Sequence, residues 1–215
     1  MSTATLSGLY VILDPSVRPT RPLTDVMAEA AKGGTTIFQY RNKTVSIKQA
    51  YAEALSLRQL AAELRVLFIV NDRCDLALAV DADGAHLGQD DLPVADARKL
   101  LGPKKIIGLS THNPAQVKEA VHLKPDYIGF GPIFKPGSKQ DHDPVVGIDG
   151  LKTIRPLTSL PIFAIGGIQL GNARSVMQAG ANGIAVISAV LTAPDISQTV
   201  AGFIAQLDQP RHPGS

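Results

Sequence analysis

Carboxylates, basic side chains and paired glycines recur in this chain directly after short apolar runs. Asn71-Asp72-Arg73 follows VLFIV (66–70), and Gln89-Asp90-Asp91 follows GAHLG (84–88). If these runs are neighbouring strands, about 4.8 Å apart, Asp72 and an aspartate of the second loop can converge on one hard cation. Two carboxylates with waters and a substrate phosphate are the usual way to hold Mg²⁺. The competing reading makes both aspartates helix caps, a common role for Asp. Asp91, just before Leu92-Pro93, fits that role as well.

Gln39-Tyr40-Arg41-Asn42-Lys43 closes another run, TTIFQY (35–40). Side chains alternate along a strand, so Gln39 and Arg41 share a face opposite Phe38 and Tyr40. With the apolar face against helices, Gln39 and Arg41 point into the other side, and Arg41 and Lys43 offer charge to an anion. A solvated loop with ordinary surface cations is the alternative. Ser110-Thr111-His112 ends KIIGLS (105–110). The stretch from Gly131 to Gly147 carries Lys135, Ser138, Lys139 and His142. It is long for a connection, which suits a lid or binding loop, or else an insertion with nothing bound. Ile165-Gly166-Gly167-Ile168 and Ile187-Ser188-Ala189 end the last two runs. Paired glycines let backbone approach a phosphate, and amides at a following helix start hold its charge. On that reading a side chain at Gly167 would take the space of phosphate oxygens. The alternative is glycines for tight turns only. His86, inside its own run, reads as a satisfied core residue rather than a catalyst. Cys74 reads as a buried apolar residue. No zinc-ligand spacing or nucleophile elbow is present.

These residues need a frame that brings run ends together. Eight runs recur: LYVIL (9–13), TTIFQY, VLFIV, GAHLG, KIIGLS, DYIGFG (126–131), PIFAIGG (161–167) and GIAVIS (183–188). They are short and mostly apolar throughout, as strands buried on both faces are. Helical periodicity lies between them. Tyr51, Leu55 and Leu60 mark the apolar positions of Ile47–Leu64, and Val117, Ala120 and Val121 those of Pro114–Leu123. Asn113-Pro114 and Asp91-Leu92-Pro93 look like helix starts. The uncharged stretch from Ser175 to Pro194 has Gly180, Asn182 and Gly183 in its middle, and so reads as helix, turn and buried strand, not a membrane span. Eight strands alternating with helices predict an α/β fold, a (β/α)8 TIM barrel in a single domain over 1–215, with 209–215 a flexible tail. An open doubly wound sheet is second, because no G-x-G-x-x-G follows the first run. A barrel places its active site at the strands' C-terminal ends, with a phosphate site after strands 7 and 8.

Composition narrows the function. Twenty-one Lys and Arg against 19 Asp and Glu leave a net charge of +2, with no basic block, so no nucleic acid and no membrane surface is expected as partner. Hydrophobic residues at 45% and charged residues at 19% exclude a disordered chain. One cysteine allows no intrachain disulfide, and the start carries no signal-peptide pattern, so a cytoplasmic location is expected.

Together the segments resemble the thiamine-phosphate synthase family. The matching pieces are GLYVILD (8–14), QYRNK (39–43), VNDRCDLALAVDADGAHLGQDDL (70–92), IGLSTH (107–112), DYIGFGPIF (126–134), AIGGI (164–168) and AGANGIAVISA (179–189). The stretch from Val70 to Leu92 is the most specific; the glycine pair is shared by many phosphate-binding barrels. The resemblance implies a transferase that joins hydroxymethylpyrimidine diphosphate to a thiazole phosphate, with Mg²⁺ assisting departure of diphosphate through a pyrimidine cation. Its partners are then these two small-molecule substrates, and a homo-oligomer is compatible with it. By position, Gln39, Arg41, Lys43, Asn71, Ser110 and Lys139 look like contacts of the pyrimidine diphosphate, with Lys139, Arg41 and Lys43 in catalytic roles. Asp72 and Asp91 look like the Mg²⁺ carboxylates, Asp91 because the family ends a G-Q-x-D run with its carboxylate. Ser138, Gly167, Ile187 and Ser188 look like thiazole-phosphate contacts. The chain departs from the family at Pro136, where a threonine is usual, while Ser138 keeps a hydroxyl. Two other functions compete: a thiazole tautomerase-like enzyme and a non-catalytic phosphate-ligand binder. Keeping Gln39, Asn71, Asp72, Asp91 and Lys139 together argues against both.

Overall fold

Continuous apolar runs bury both faces only if something covers each face, and in this chain closure covers one and helices the other. The computed structural model describes residues 6–18, 20–135 and 144–208. Eight parallel strands form a closed barrel in sequence order. They are β1 (Gly8–Leu13), β2 (Ile37–Tyr40), β3 (Leu67–Asn71), β4 (Gly84–Leu87), β5 (Ile106–Thr111), β6 (Tyr127–Phe130), β7 (Ile162–Ile165) and β8 (Gly183–Val186). Strand β8 closes the ring on β1, with Leu9 opposite Ile184 and Val11 opposite Val186. All eight predicted runs contain a strand, and the order is that of a (β/α)8 barrel.

The period of two sorts the side chains. In β1, Leu9, Val11 and Leu13 join the large core between barrel and helices. Tyr10 and Ile12 face inward, into a smaller core with Ile37, Ile69, Tyr127, Phe163 and Ala185. The same alternation sends Phe38 and Tyr40 outward. Gln39 goes inward, where it is buried. The inner core is aromatic: Phe163 meets Tyr10 and Tyr127 edge-on at centroid distances of 5.2 and 5.3 Å.

The helices are α1 (Leu23–Lys32), α2 (Ile47–Leu64), α3 (Cys74–Ala79), α4 (Val94–Leu101), α5 (Pro114–Leu123), α6 (Gly147–Ile154), α7 (Leu170–Gln178), α8 (Ser188–Leu191) and α9 (Ile196–Leu207). Helix α5 starts as expected: the Asn113 side chain accepts from the Gln116 N–H, and Pro114 stands in the first turn. Val121 of the same helix is exposed, and Val117 and Ala120 carry its buried face. Helix α2 has the expected bounds but a different buried stripe. Ala50, Ala54, Leu57 and Ala61 face the barrel, while Tyr51 is exposed and Leu55 and Leu60 are half-buried. Small alanines let the helix lie close, which pushes the larger side chains to its flanks. No described helix is long and apolar enough to cross a membrane. The proposed tail, 209–215, lies outside the described residues.

Candidate active site

The C-terminal strand ends enclose a cavity of about 380 Å³. Gln39, Arg41, Asn71 and Ser110 line one side of it, and Gly167, Ile187 and Ser188 line another. Seven of the residues singled out from sequence therefore share one space. Ser138 and Lys139 lie outside the described residues.

On the first side, Arg41 forms an ion pair with Asp14, the last residue of the GLYVILD segment. Asp14 is buried, and its other oxygen accepts from the Ser16 backbone N–H at 3.0 Å and the Ser16 hydroxyl at 2.6 Å. A buried carboxylate with this many donors fixes the guanidinium and leaves its remaining N–H groups for an anion.

Lys43, Asp72 and Asp91 form a charged cluster beside Asn71. Lys43 Nζ lies 3.0 Å from Asp72 Oδ2. Asp72 adopts a left-handed backbone (φ 61°), and its N–H donates to the His86 carbonyl of β4 at 2.8 Å. That bond ties the ends of β3 and β4 together. Asp91 turns back, and its Oδ2 accepts from the Gly88 N–H at 2.6 Å. Asp91 is therefore not a helix cap: α4 begins at Val94 with no side-chain cap. Burial, and after it the hydrogen-bonding and charge of the adjacent Asp72, push the Asp91 carboxyl above its usual range, while the Gly88 N–H and Lys43 oppose the shift. Two carboxylates within hydrogen-bonding reach are what a divalent cation would use. Among the described residues no group of three or more His, Cys, Asp or Glu could hold a metal. Any cation here would complete its coordination with water or ligand oxygens.

On the other side, Gly166 and Gly167 have φ of 99° and 62°, values that side chains rarely adopt. The expectation that a Gly167 side chain would meet phosphate needs correction. A Cβ there would lie 2.7 Å from Phe134 Cβ and 2.7 Å from the Lys135 carbonyl oxygen. The pair is needed because residues 132–135 pack onto the end of β7. The Ile133 N–H donates to the Ile165 carbonyl, and the Phe134 N–H to the Gly166 carbonyl. Gly167 still lines the cavity, as does Lys135.

The floor was not read from the sequence. Gln39 Nε2 donates to Tyr10 Oη at 2.8 Å, and Tyr10 Oη lies 3.0 Å from Tyr127 Oη. Tyr127 Oη is 2.9 Å from His86 Nδ1, and His86 Nε2 is 2.9 Å from Ser110 Oγ. His86 is satisfied, as expected of a core histidine, yet it also lines the cavity. Burial pulls its pKa from 6.5 to about 4, against a smaller opposing pull from Asp91. His112 lines the cavity as well, with Nδ1 2.7 Å from the Gly131 carbonyl. Strand alternation flags Tyr10, Tyr127 and Phe163 as inward-facing, but not their mutual contacts.

Comparison with known proteins gives one direction. Residues 9–190 match the family model described as thiamine monophosphate synthase. The thiamine-phosphate synthase of Chloroflexus aurantiacus is 50% identical over 189 residues, covering 88% of this chain and 87% of that protein. The thiamine-phosphate synthase of Shouchella clausii is 44% identical over 201 residues, covering 94% and 96%. Among solved structures, a thiamine phosphate pyrophosphorylase from Pyrococcus furiosus superposes with a TM-score of 0.84 at 38% identity, covering 94% of this chain and 95% of that one.

Proposed function

The chain belongs to the thiamine monophosphate synthase family, and from that premise we propose how its barrel mouth couples a pyrimidine with a thiazole. It is an enzyme, a transferase that forms thiamine phosphate. In our reading the pyrimidine arrives with a diphosphate on its methylene carbon and the thiazole carries a phosphate. The C–O bond to diphosphate breaks first, and its electron pair leaves with diphosphate. The ring-stabilised carbocation is then captured by the lone pair of the thiazole nitrogen, forming the C–N bond. No proton has to move in this scheme.

The chain's own residues divide this work. Gln39, Asn71 and Ser110 hold the pyrimidine. Arg41, oriented by Asp14, and Lys43, with Lys139, face the diphosphate and offset the charge that grows as it departs. Gly167, Ile187, Ser188 and Ser138 hold the thiazole phosphate. Tyr10, Ile12, Phe163 and Ile165 line the cavity with aromatic and aliphatic surface. That surface keeps water, the competing nucleophile, away from the carbocation.

Asp72 and Asp91 fit a Mg²⁺ ion. The fit is carried by their proximity: two carboxylates are drawn together where burial already disfavours charge on Asp91. When bound, Mg²⁺ would supply positive charge to diphosphate oxygens. This clustering of Asp72 and Asp91 with Lys43 is the observation that supports the reading best. The test is release of diphosphate from the pyrimidine substrate with both substrates present, with and without Mg²⁺. Mg²⁺-dependent release with formation of thiamine phosphate is expected. A tautomerase or a binder would release none.

A further inference from the structure

We propose that Tyr10, Tyr127 and His86 are positioning residues that fix the direction of the Ser110 hydroxyl proton, so that Ser110 presents a donor to the pyrimidine. The inference rests on the assignment of Ser110 to the pyrimidine subsite. The coupling chemistry gives these three groups no proton to move, yet they sit linked on the cavity floor.

The direction follows from counting protons along the chain Gln39–Tyr10–Tyr127–His86–Ser110. Tyr10 Oη accepts from Gln39 Nε2. The one remaining partner of the Tyr10 hydroxyl among the described residues is Tyr127 Oη, so Tyr10 donates to Tyr127. Tyr127 then has its own proton to place, and His86 Nδ1 receives it. An imidazole that accepts at Nδ1 carries its proton on Nε2. That proton goes to Ser110 Oγ. Ser110 has thereby accepted, and its own hydrogen is left for the cavity that it lines. Burial holds both phenols above their usual range, so each keeps the proton the count requires.

With Gln39 Nε2 held toward Tyr10, reversing the chain starts from Ser110 donating to His86 and ends with Tyr10 accepting from both sides. The Tyr10 proton would then be buried without an acceptor, at a cost of about 1–3 kcal/mol. An imidazolium gives the same fault, because both its nitrogens donate. With Gln39 Nε2 turned toward Tyr10, one polarity satisfies every group; a Gln39 amide rotated by 180° would reverse the chain and put the imidazole proton on Nδ1. Serine alone would rotate and offer either a donor or a lone pair; the chain removes that choice. Ser110 then reads an acceptor, such as the lone pair of a pyrimidine ring nitrogen.

The strands are cut back to admit the chain. A Cβ on Gly108 of β5 would lie 2.2 Å from Tyr127 Cζ and 2.4 Å from His86 Nδ1. A Cβ on Gly129 of β6 would stand 3.3 Å from His86 Cε1. The imidazole lies stacked on the Tyr127 ring, with centroids 5.4 Å apart and planes at 28°.

Nitrogen-15 NMR of the ligand-free protein at neutral pH tests the polarity, with the His86 signals assigned by their loss in His86→Gln. The expected result is a neutral ring with its proton on Nε2 and a hydrogen-bonded lone pair on Nδ1. The Nδ1–H tautomer or an imidazolium would overturn the proposal. A double-mutant cycle then tests the function through affinity for the pyrimidine diphosphate. Ser110→Ala should weaken binding about tenfold, the worth of one hydrogen bond. Tyr127→Phe keeps the ring but removes the donor to Nδ1, and should weaken binding about 3–10-fold. The double variant should bind no worse than Ser110→Ala, since the chain acts only through Ser110. Additive losses would overturn the positioning role. If Ser110→Ala binds normally while the ring is the Nε2–H tautomer, the polarity stands, and the assignment of Ser110 to the pyrimidine falls.

Discussion

Asp91 occupies a position that works against its own charge. Its carboxyl is raised by burial and by Asp72. A raised carboxyl adds stability below its unfolded pKa, and that contribution is lost as pH rises through the folded pKa. At neutral pH the ionised pair therefore burdens the metal-free protein. Asp91→Asn removes the like charge and can still accept from the Gly88 N–H. Without metal, its melting temperature should rise by about 1–3 °C. Its turnover should fall about 10²-fold or more. Differential scanning calorimetry and a diphosphate-release assay on the same preparation check both halves. The sequence pattern before Leu92-Pro93 suits either a cap or a ligand, and the turn back to Gly88 rules out the cap. Lys139 rests on the resemblance alone. If it meets charge that develops as diphosphate leaves, Lys139→Ala should lower kcat about 10²-fold with a smaller change in KM. Lys135→Ala, at the cavity lip, should be nearly silent in the same kinetics.

The strand ends explain which features were legible in the sequence. Buried strands announce themselves as apolar runs, so the eight strands and the polar residues that follow them were readable. Inside-or-outside placement was readable too, since alternation puts Gln39 inward. The face of α2 was not, because its buried stripe is mostly alanine, which a search for large apolar side chains passes over. The role of Gly167 was half legible. Its positive φ suits a glycine, but the atoms its missing side chain would strike belong to Phe134 and Lys135. Gly167→Ala should thus displace the segment that leads toward Ser138 and Lys139, and not only the thiazole-phosphate pocket. Binding of both substrates should weaken, each about tenfold, the worth of one lost hydrogen bond. Titration of each substrate separately checks this; a loss confined to the thiazole phosphate would contradict the packing explanation.

Closure of the barrel brings together what no local pattern could show. Tyr10 and Tyr127 stand 117 residues apart in sequence and within hydrogen-bonding distance in the fold. With His86 they place a polar chain inside an aromatic core, and this gives the molecule a pH signature. Burial pulls His86 to about 4, below its unfolded value of 6.5. The neutral ring is fully favourable above about pH 6.5, and its contribution is lost as pH falls toward 4. Between pH 7.5 and pH 5 that loss amounts to about 2 kcal/mol. Urea unfolding at both pH values should show a drop smaller by about that amount in His86→Gln than in the unsubstituted protein.

In the proposed mechanism the charged cluster of Lys43, Asp72 and Asp91 is where the cation is held. The measurement that tests it most directly is a Mg²⁺ titration of diphosphate release, run in parallel with Mn²⁺ binding followed by electron paramagnetic resonance. The unsubstituted protein should bind Mn²⁺ and turn over only with a divalent cation. Asp72→Ala should keep its circular dichroism spectrum, lose Mn²⁺ binding and lose Mg²⁺-dependent turnover. Full turnover by Asp72→Ala at the same Mg²⁺ concentration would contradict the assignment of Asp72 and Asp91 as the carboxylates that hold the cation.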